Sequence, residues 1–148
     1  MHIAVREHEG FLDTSVLVAT FYGDHENHDT SLALFISLTR KTGCTAAHCL
    51  AEVYSVLTGM PGKDRVTPEE ALLFLADVRA RLAVVSLSEA DYVTVLANAG
   101  TRGVVGGGIY DALSSRCAVN TRCDVLYTWN VKHFTRLGAD VAALVRRP

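Results

Sequence analysis

The chain of 148 residues lacks any apolar run close to the ~20 residues that a bilayer-spanning helix requires. Its first ten residues include Arg6, Glu7, His8 and Glu9, and are too polar for the apolar core of a signal peptide. We therefore expect no membrane association and a cytoplasmic location. The sequence also lacks internal repeats, low-complexity tracts and linkers, which predicts a single domain over residues 1–148.

An excess of positive charge is also missing. The chain has 14 Lys and Arg against 16 Asp and Glu, and its formal net charge is −2. This balance argues against a broadly basic surface for nucleic acid, although not against a local one. No CxxC pair occurs, so the cysteines are predicted to be small core residues rather than metal or disulfide partners. The four cysteines are Cys44, Cys49, Cys117 and Cys123.

Short apolar runs alternate with helical patterns along the chain. The first strand is predicted to end at Asp13. Further strands are predicted at residues 44–46, 83–87 and 124–127, with another short strand around 139–144. Helices are predicted at residues 15–21, up to Lys41, around Glu52 as far as residue 59, at 68–81, up to Asn98 and at 109–119. Strands separated by helices predict an α/β fold with a mainly parallel sheet covered on both faces.

Local signals refine several of these elements. Leu32, Phe35, Ile36 and Thr39 are predicted to form the inner face of the second helix, which Gly43 is expected to stop. Thr67, Pro68 and Glu70 form the clearest helix start, with a capping threonine, a proline at the first helical position and a glutamate that closes a capping box. Ser88 is predicted to cap the next helix.

Four polar residues occupy strand ends or helix starts that face one edge of such a sheet. Asp13 and Asn130 follow predicted strands, whereas Glu52 and Asp111 lie in the first turns of helices. Gathered carboxylates repel one another unless a cation compensates them, and oxygen ligands in this number suit Mg²⁺ or Mn²⁺. Such an ion supports phosphodiester hydrolysis. The alternative for Glu52 and Asp111 is that each only complements a helix dipole.

The motifs around these residues resemble the PIN domain, and most of all the VapC-type toxins of bacterial toxin–antitoxin pairs. The resemblance spans residues 11–134, and its motifs lie at residues 11–15, 51–54, 110–113 and 128–134. It implies a three-layer α/β/α fold and an endoribonuclease that depends on Mg²⁺ or Mn²⁺. It also implies inhibition by a cognate antitoxin protein, an RNA substrate and a homodimer.

The resemblance also implies roles for individual residues. Asp13, Glu52 and Asp111 match the three most constant acids of the family and would hold the metal. Asn130 matches a fourth position that is often aspartate, and His133 stands where many relatives carry another acid. The hydroxyls of Ser15 and Thr128 are expected to hydrogen-bond the acids or the attacking water. The extension over residues 1–10 is longer than expected and is interpreted as a strand extension, a misassigned start or a foreign addition.

Weaker signals surround these motifs. Lys63 and Arg65 are candidate RNA contacts, with a solvated loop as the equal alternative. Trp129 is expected to pack in the core rather than to stack on a base. His25 and His28 are expected to be exposed rather than metal-bound. The glycines between residues 103 and 108 predict a flexible loop beside the site rather than a dinucleotide fingerprint.

Two other functions remain open from the sequence. A haloacid-dehalogenase-like phosphohydrolase also places a nucleophilic aspartate after its first strand, but it usually carries a second acid two positions later, where this chain has Ser15. A non-catalytic RNA- or protein-binding module with a decayed site is the third hypothesis, because Asn130 contributes no charge. The leading hypothesis is a metal-dependent endoribonuclease toxin.

Overall fold

A five-stranded, all-parallel sheet forms the centre of the computed structural model, which describes residues 8–148. The strands are β1 (Gly10–Leu12), β2 (Gly43–Ala46), β3 (Ala83–Val85), β4 (Val125–Tyr127) and β5 (Val145–Arg146). The helices found in this range are α1 (Thr14–Phe21), α2 (His28–Ser37), α3 (Ala47–Gly59), α4 (Pro68–Arg81), α5 (Glu89–Arg102), α6 (Gly108–Asn120), α7 (Val131–Thr135) and α8 (Ala139–Leu144). None of these helices has the length and apolar character of a membrane span.

The order of the strands in the sheet creates a natural ligand site. The order is β3-β2-β1-β4-β5, so the chain builds outward from β1 in one direction and then returns to add β4 on the other side. Phe11 of β1 pairs with Cys44 of β2 on one side and with Leu126 of β4 on the other. The direction of winding therefore changes between β1 and β4. In open α/β sheets, ligands bind at the carboxyl ends of the strands that flank such a switch point.

Consecutive strand residues face opposite sides of the sheet and build two cores. Leu12 packs into the first core and Phe11 into the second, as the alternation of side chains along a strand requires. The first core is aliphatic and aromatic and joins β1 to α1, α2, α3 and α4. The second core contains all four cysteines, which are buried and unbridged, and joins the sheet to α6, α7 and α8. The prediction that the cysteines are core residues is confirmed.

The second helix is shorter than predicted, and its predicted inner face is only partly correct. It ends at Ser37 rather than near Lys41, because Leu38 adopts an extended conformation and leads the chain toward β2. Phe35 is buried as predicted and Leu32 is half-buried, but Ile36 is 58% exposed and Thr39 is also exposed. Ser31 in the helix and Leu38 after it are buried as well.

Gly43 does not stop a helix but opens β2. A Cβ atom at this position would lie 2.8 Å from the Leu82 side chain and 2.9 Å from that of Leu38. The residue must be glycine because two neighbouring segments press against the strand there.

The tail is a second correction. Residues 139–144 form helix α8 instead of a strand, and the strand follows as β5, which pairs in parallel with β4. Gly138, with a φ of 138°, precedes the helix, and its carbonyl accepts from Ala142 N at 2.9 Å. Val141 then faces the second core. Helix α8 thus forms around one buried side chain, that of Val141, and the short α7 was not predicted either.

Other boundaries differ by a few residues. Strand β3 ends at Val85 rather than at residue 87, and α5 continues to Arg102, where Gly103 ends it with a φ of 72°. Thr67 caps α4 as predicted, with its hydroxyl oxygen 3.2 Å from Glu70 N, while the Glu70 carboxylate accepts from that hydroxyl rather than from the backbone.

A strand extension, one of the three interpretations of residues 1–10, can be checked only in part. Glu9 N donates to Thr42 O at 2.7 Å and Glu9 O accepts from Val125 N at 3.2 Å, so the β1 hydrogen bonds reach one residue beyond the strand. Residues 1–7 lie outside the described residues, and so does the rest of that prediction.

Candidate active site

A cleft of about 730 Å³ opens at the carboxyl ends of β1 and β4, where the winding of the sheet changes direction. All four polar residues selected from the sequence line it. The lining residues are Asp13, Thr14, Ser15, Val18, His25, Glu26, Asn27, Glu52, Val56, Asp111, Trp129, Asn130 and Arg147. The topology thus brings together side chains that are separated by more than a hundred positions in the chain.

Asp13 lies at the floor of the cleft and is only 3% exposed. It occupies the residue before α1, but its side chain does not cap the helix. Its Oδ2 instead accepts hydrogen bonds from the hydroxyls of Thr128, at 2.7 Å, and Ser15, at 2.9 Å. A carboxylate held by two hydroxyls in this way is not explained as a helix cap.

Two backbone amides fix the direction in which these hydroxyls donate. Trp129 N donates to Ser15 Oγ at 3.0 Å, and Asn130 N donates to Thr128 Oγ1, also at 3.0 Å. Each hydroxyl oxygen therefore accepts a hydrogen bond from a backbone amide after β4, and the hydroxyl donates its own hydrogen bond to Asp13 Oδ2. The β4–α7 segment consequently sets the orientation of the carboxylate.

Glu52 and Asp111 reach the cleft from helices, and their contacts are longer than those of Asp13. Thr14 Oγ1 donates to Glu52 Oε1 at 3.2 Å, and His48 Nε2 lies 3.7 Å from the same oxygen. His133 Nδ1 lies 3.7 Å from Asp111 Oδ2. Glu52 is beyond the first turn of α3, so helix-dipole complementation does not explain it, whereas Asp111 does lie in the first turn of α6.

The electrostatics of the cleft disfavour three bare carboxylates. Burial raises the pKa of Asp13, against the opposing hydrogen bonds from Thr128 and Ser15. Burial and then the charge of Asp13 raise the pKa of Glu52 to about 7 and that of Asp111 to about 6. The donors are all hard oxygens, and their ionised forms need a compensating positive charge. These residues therefore fit a divalent cation such as Mg²⁺.

Asn130 precedes α7 and lines the cleft. Trp129 lies beside it, packs partly against the first core and donates from Nε1 to Ser31 Oγ at 2.9 Å. The predicted core packing of Trp129 is therefore present, although the ring also borders the cleft. Asp111 and Asn130 also border a second groove of about 610 Å³, which contains Arg102, His133 and Arg136.

Several predictions from the sequence are placed differently by the structure. Lys63 and Arg65 lie on and just after a short 3-10 turn at residues 62–64, and neither is among the described residues that line the cleft. Their contact with RNA stays a prediction. His25 and His28 are half-buried rather than exposed, and His25 lines the cleft. The glycine loop lies beside the site as expected, along the second groove.

Sequence reasoning missed three residues of the site. Thr14 donates to Glu52, and its position directly after Asp13 was the available signal. His48 lies four residues before Glu52, a spacing that places both on one helix face. Nothing in the sequence around Arg147 indicated that it lines the cleft, because the pairing of β5 with β4 is what brings the segment after β5 there.

Comparisons with known proteins agree with this geometry. The family model described as PIN domain matches residues 10–139. Ribonuclease VapC40 of Mycobacterium tuberculosis is 36% identical over 101 residues, which cover 68% of this chain and 72% of that protein. Ribonuclease VapC27 of the same organism is 30% identical over 115 residues, which cover 77% of this chain and 80% of that protein.

Solved structures share the fold at lower identity. Mycobacterium tuberculosis VapC20, a toxin that cleaves the sarcin-ricin loop, has a TM-score of 0.70 and 17% identity, with 84% of this chain and 92% of that chain covered. VapBC2 of Rickettsia felis, solved with a promoter DNA fragment, has a TM-score of 0.65 and 18% identity, with coverages of 94% and 98%. The predicted α/β/α fold is confirmed, and the comparisons do not favour the phosphohydrolase or the decayed binding module.

Proposed function

Because this chain belongs to the PIN-domain family, we propose that it is a metal-dependent endoribonuclease and the toxin of a toxin–antitoxin pair. One observation carries the proposal: Asp13, Glu52 and Asp111 line a single cleft at the switch point of the sheet. The relatives that are 36% and 30% identical are ribonucleases by name. The names of these relatives indicate RNA as the substrate, and the three carboxylates of this chain are suited to hold the metal ion for its hydrolysis.

The three carboxylates would hold Mg²⁺ or Mn²⁺, with the Asn130 side chain at the margin of the same cleft. A bound ion would neutralise the acids, polarise a phosphoryl oxygen and lower the pKa of a water molecule. Calorimetric titration of the metal-free protein with each metal compares their affinities and counts the bound ions.

The chain's own residues prepare this site before substrate arrives. Ser15 and Thr128 hold Asp13 through Oδ2, so this carboxylate needs little rearrangement on binding. Glu52 and Asp111, with pKa values of about 7 and 6, give up their last protons close to neutral pH. An incoming cation therefore competes with protons that these two groups hold more tightly than ordinary carboxyls do, so cation binding should weaken as the pH falls below about 7.

Positive side chains flank the acids on both sides and would position RNA. Arg147 lines the cleft itself, while Arg102 and Arg136 border the adjoining groove that shares Asp111. Guanidinium groups pair well with phosphate oxygens. A single-stranded RNA lying across both depressions would place one phosphodiester over the acids and neighbouring phosphates over the arginines.

A protein antitoxin is the expected partner, since one of the similar structures is a VapBC2 complex. The proposal includes a cytoplasmic location, because the toxin must act where cellular RNA is found. It also includes a homodimer, as the family resemblance implies. Co-expression with the product of a small adjacent gene, followed by co-purification, tests the antitoxin. Size-exclusion chromatography with light scattering tests the dimer.

The decisive experiment is RNA cleavage by the metal-free protein. Purified protein treated with EDTA and dialysed should be inactive, and activity should return with Mg²⁺ or Mn²⁺ in a saturable manner. Asp77→Asn is a matched control, because Asp77 is an exposed aspartate on α4 away from the cleft, and this variant should cleave like the wild type. Undiminished cleavage in excess EDTA would contradict the proposal.

A further inference from the structure

Glu52 belongs to a second group of potential metal ligands on α3. Single ligand atoms of His48, Cys49 and Glu52 all lie within 4.8 Å of one another, the only such group among residues 8–148. His48 Nε2 is 3.7 Å from Glu52 Oε1 and 3.8 Å from Cys49 Sγ. The helix places His48 and Glu52 on one face because they are four positions apart, and the buried Cys49 sulfur approaches His48 Nε2 from the side of the second core.

These separations match those of a tetrahedral site. Ligand atoms bound to one zinc ion at about 2.0–2.3 Å lie about 3.3–3.8 Å from each other in a tetrahedron. The two distances from His48 Nε2 fall in this range. The third separation, between the Cys49 sulfur and a Glu52 oxygen, is within 4.8 Å, so it would shorten by at most about 1 Å when the group closes around an ion.

We propose that His48, Cys49 and Glu52 form a binding site for Zn²⁺ that is distinct in chemistry from the Mg²⁺ site but shares Glu52 with it. Imidazole nitrogen, thiolate sulfur and carboxylate oxygen are the donor types that zinc prefers and that Mg²⁺ does not use together. On binding, the Cys49 S–H bond breaks, a Zn–S bond forms and the proton passes to solvent. The thiolate and the carboxylate then balance the two charges of the ion.

The surroundings of the group keep its donors in place. Ser114 Oγ lies 2.9 Å from His48 Nε2 and 3.5 Å from Cys49 Sγ, and Ser114 is itself buried. The Tyr110 ring stacks on the His48 imidazole, with centroids 6.5 Å apart and planes at 28°. The Tyr110 stack orients the imidazole, while the Ser114 hydroxyl lies against the nitrogen that would bind zinc and would have to move aside when the ion enters.

Sharing of Glu52 gives the site a consequence for activity, which rests on the proposed function. An ion held by His48 and Cys49 occupies one of the three carboxylates needed for the catalytic cation. Zinc should therefore inhibit RNA cleavage in competition with Mg²⁺, at zinc concentrations well below those of Mg²⁺, because thiolate and imidazole add affinity that oxygen ligands alone do not supply.

The direct test uses Co²⁺ as a spectroscopic substitute for zinc and does not depend on RNA cleavage. Wild-type protein, made metal-free, should develop a thiolate-to-cobalt charge-transfer absorption that Zn²⁺ abolishes. Cys49→Ser should lose this band, while Cys44→Ser should retain it. Cys44 is the matched control because its sulfur lies 3.4 Å from that of Cys123, which makes that pair the alternative thiol source.

A second variant protects the test against a folding defect. Should Cys49→Ser fail to fold, as judged by circular dichroism, His48→Gln should weaken Co²⁺ binding at least 10-fold while preserving the fold. Absence of the band in the wild type, or its persistence in Cys49→Ser with loss in Cys44→Ser, overturns the zinc site.

Cleavage assays separate this inference from the proposed function. With Mg²⁺ alone, Cys49→Ser should cleave RNA like the wild type, and its half-inhibition should require at least 10-fold more zinc. Asp13→Asn should be inactive but should keep the cobalt band, since Asp13 is outside the zinc group. A wild-type protein that shows the band but never cleaves RNA would refute only the ribonuclease, whereas cleavage without the band would refute only the zinc site.

Discussion

The two sides of the cleft hold their carboxylates in different ways. Asp13, at the end of a central strand, is 3% exposed and accepts two hydroxyl hydrogen bonds of 2.7 and 2.9 Å on one oxygen. Glu52 and Asp111, on helices, have side chains that are 29% and 20% exposed. Glu52 has one hydroxyl bond of 3.2 Å and the imidazole of His48 at 3.7 Å, and the Asp111 carboxylate has the imidazole of His133 at 3.7 Å.

This difference shows a division of labour between the two kinds of secondary structure. The strand end provides a fixed reference point, because the sheet hydrogen bonds and the β4–α7 segment locate both the carboxylate and its donors. The helix-borne acids keep rotamer freedom and pKa values near neutrality, so they can adjust to a cation. A site built in this way combines one rigid carboxylate with two adaptable ones.

The largest effect is expected from the fixed side. Asp13→Asn keeps the size of the side chain but removes its charge, so RNA cleavage should fall by about 10³-fold or more, as when a group that stabilises developing charge is lost. Gel assays on RNA with saturating Mg²⁺ measure the loss, and circular dichroism verifies the fold. Growth inhibition should also disappear when this variant is expressed. Wild-type cleavage by Asp13→Asn would remove this residue from the active site.

The next effect concerns the support of Asp13. Thr128→Val preserves shape but removes the hydroxyl that bonds Oδ2, and activity or Mg²⁺ affinity should fall by about 10- to 100-fold. Thr121→Val is the matched control, since Thr121 is also buried but bonds the Cys117 carbonyl in the second core. Both variants should lose some thermal stability, while only Thr128→Val should lose activity. Equal activity in the two would mean that the hydroxyl on Asp13 serves packing alone.

A third prediction concerns the pH dependence of stability on the adaptable side. The pKa of Glu52 rises from 4.5 to about 7 on folding, so the folded state holds this proton more tightly than the unfolded chain. Folding stability of the metal-free protein should therefore fall as pH rises from about 4.5 to about 7. Glu52→Gln should flatten this decline and raise the melting temperature at pH 8 by a few degrees.

Melting curves at a series of pH values in EDTA test this prediction. Added Mg²⁺ should restore the stability of the wild type above pH 7 but should have a smaller effect on Glu52→Gln. A metal-free wild type whose stability increases across this pH range would show that the charge of Glu52 is well accommodated without a cation.

The smallest effect is expected at the groove beside Asp111. Arg136→Ala should raise KM for RNA by about 2- to 5-fold, leave kcat nearly unchanged and reduce the slope of log K against log salt by about 0.7, the value for one lost phosphate contact. Arg79→Ala, on the exposed part of α4, should change neither quantity. Identical salt slopes for the wild type and Arg136→Ala would move the RNA path away from this groove.

The residues of the site could be predicted better than the elements that carry them. Asp13, Glu52 and Asp111 were identifiable because polar side chains at strand ends and helix starts converge in a parallel sheet, whatever the lengths of the elements. The ends of α2 and α5 were not, since the first depends on Leu38 turning toward β2 and the second on Gly103 adopting a positive φ. Both are tertiary or conformational events that residue patterns describe poorly.

Other features depended on long-range pairing. Helix α8 was predicted as a strand because its short run, in which every residue but Asp140 is apolar, has no clear period, and packing of Val141 on the second core favours the helix. The position of Arg147 follows from the pairing of β5 with β4, and the role of the Ser15 hydroxyl could be expected only through the family resemblance. Contacts between distant segments are what a single sequence reveals least.

The hydrogen bond between Thr128 and Asp13 joins positions that are 115 residues apart in the chain. A partly synthesised chain therefore lacks a complete site. The Asp13 carboxylate has no fixed orientation until β4 has left the ribosome and paired with β1. We therefore expect the growing polypeptide to be unable to cleave RNA for most of its own synthesis. Assembly of the sheet would thus delay activity until most of the chain has been made. An antitoxin made at the same time could then be present before RNA cleavage begins.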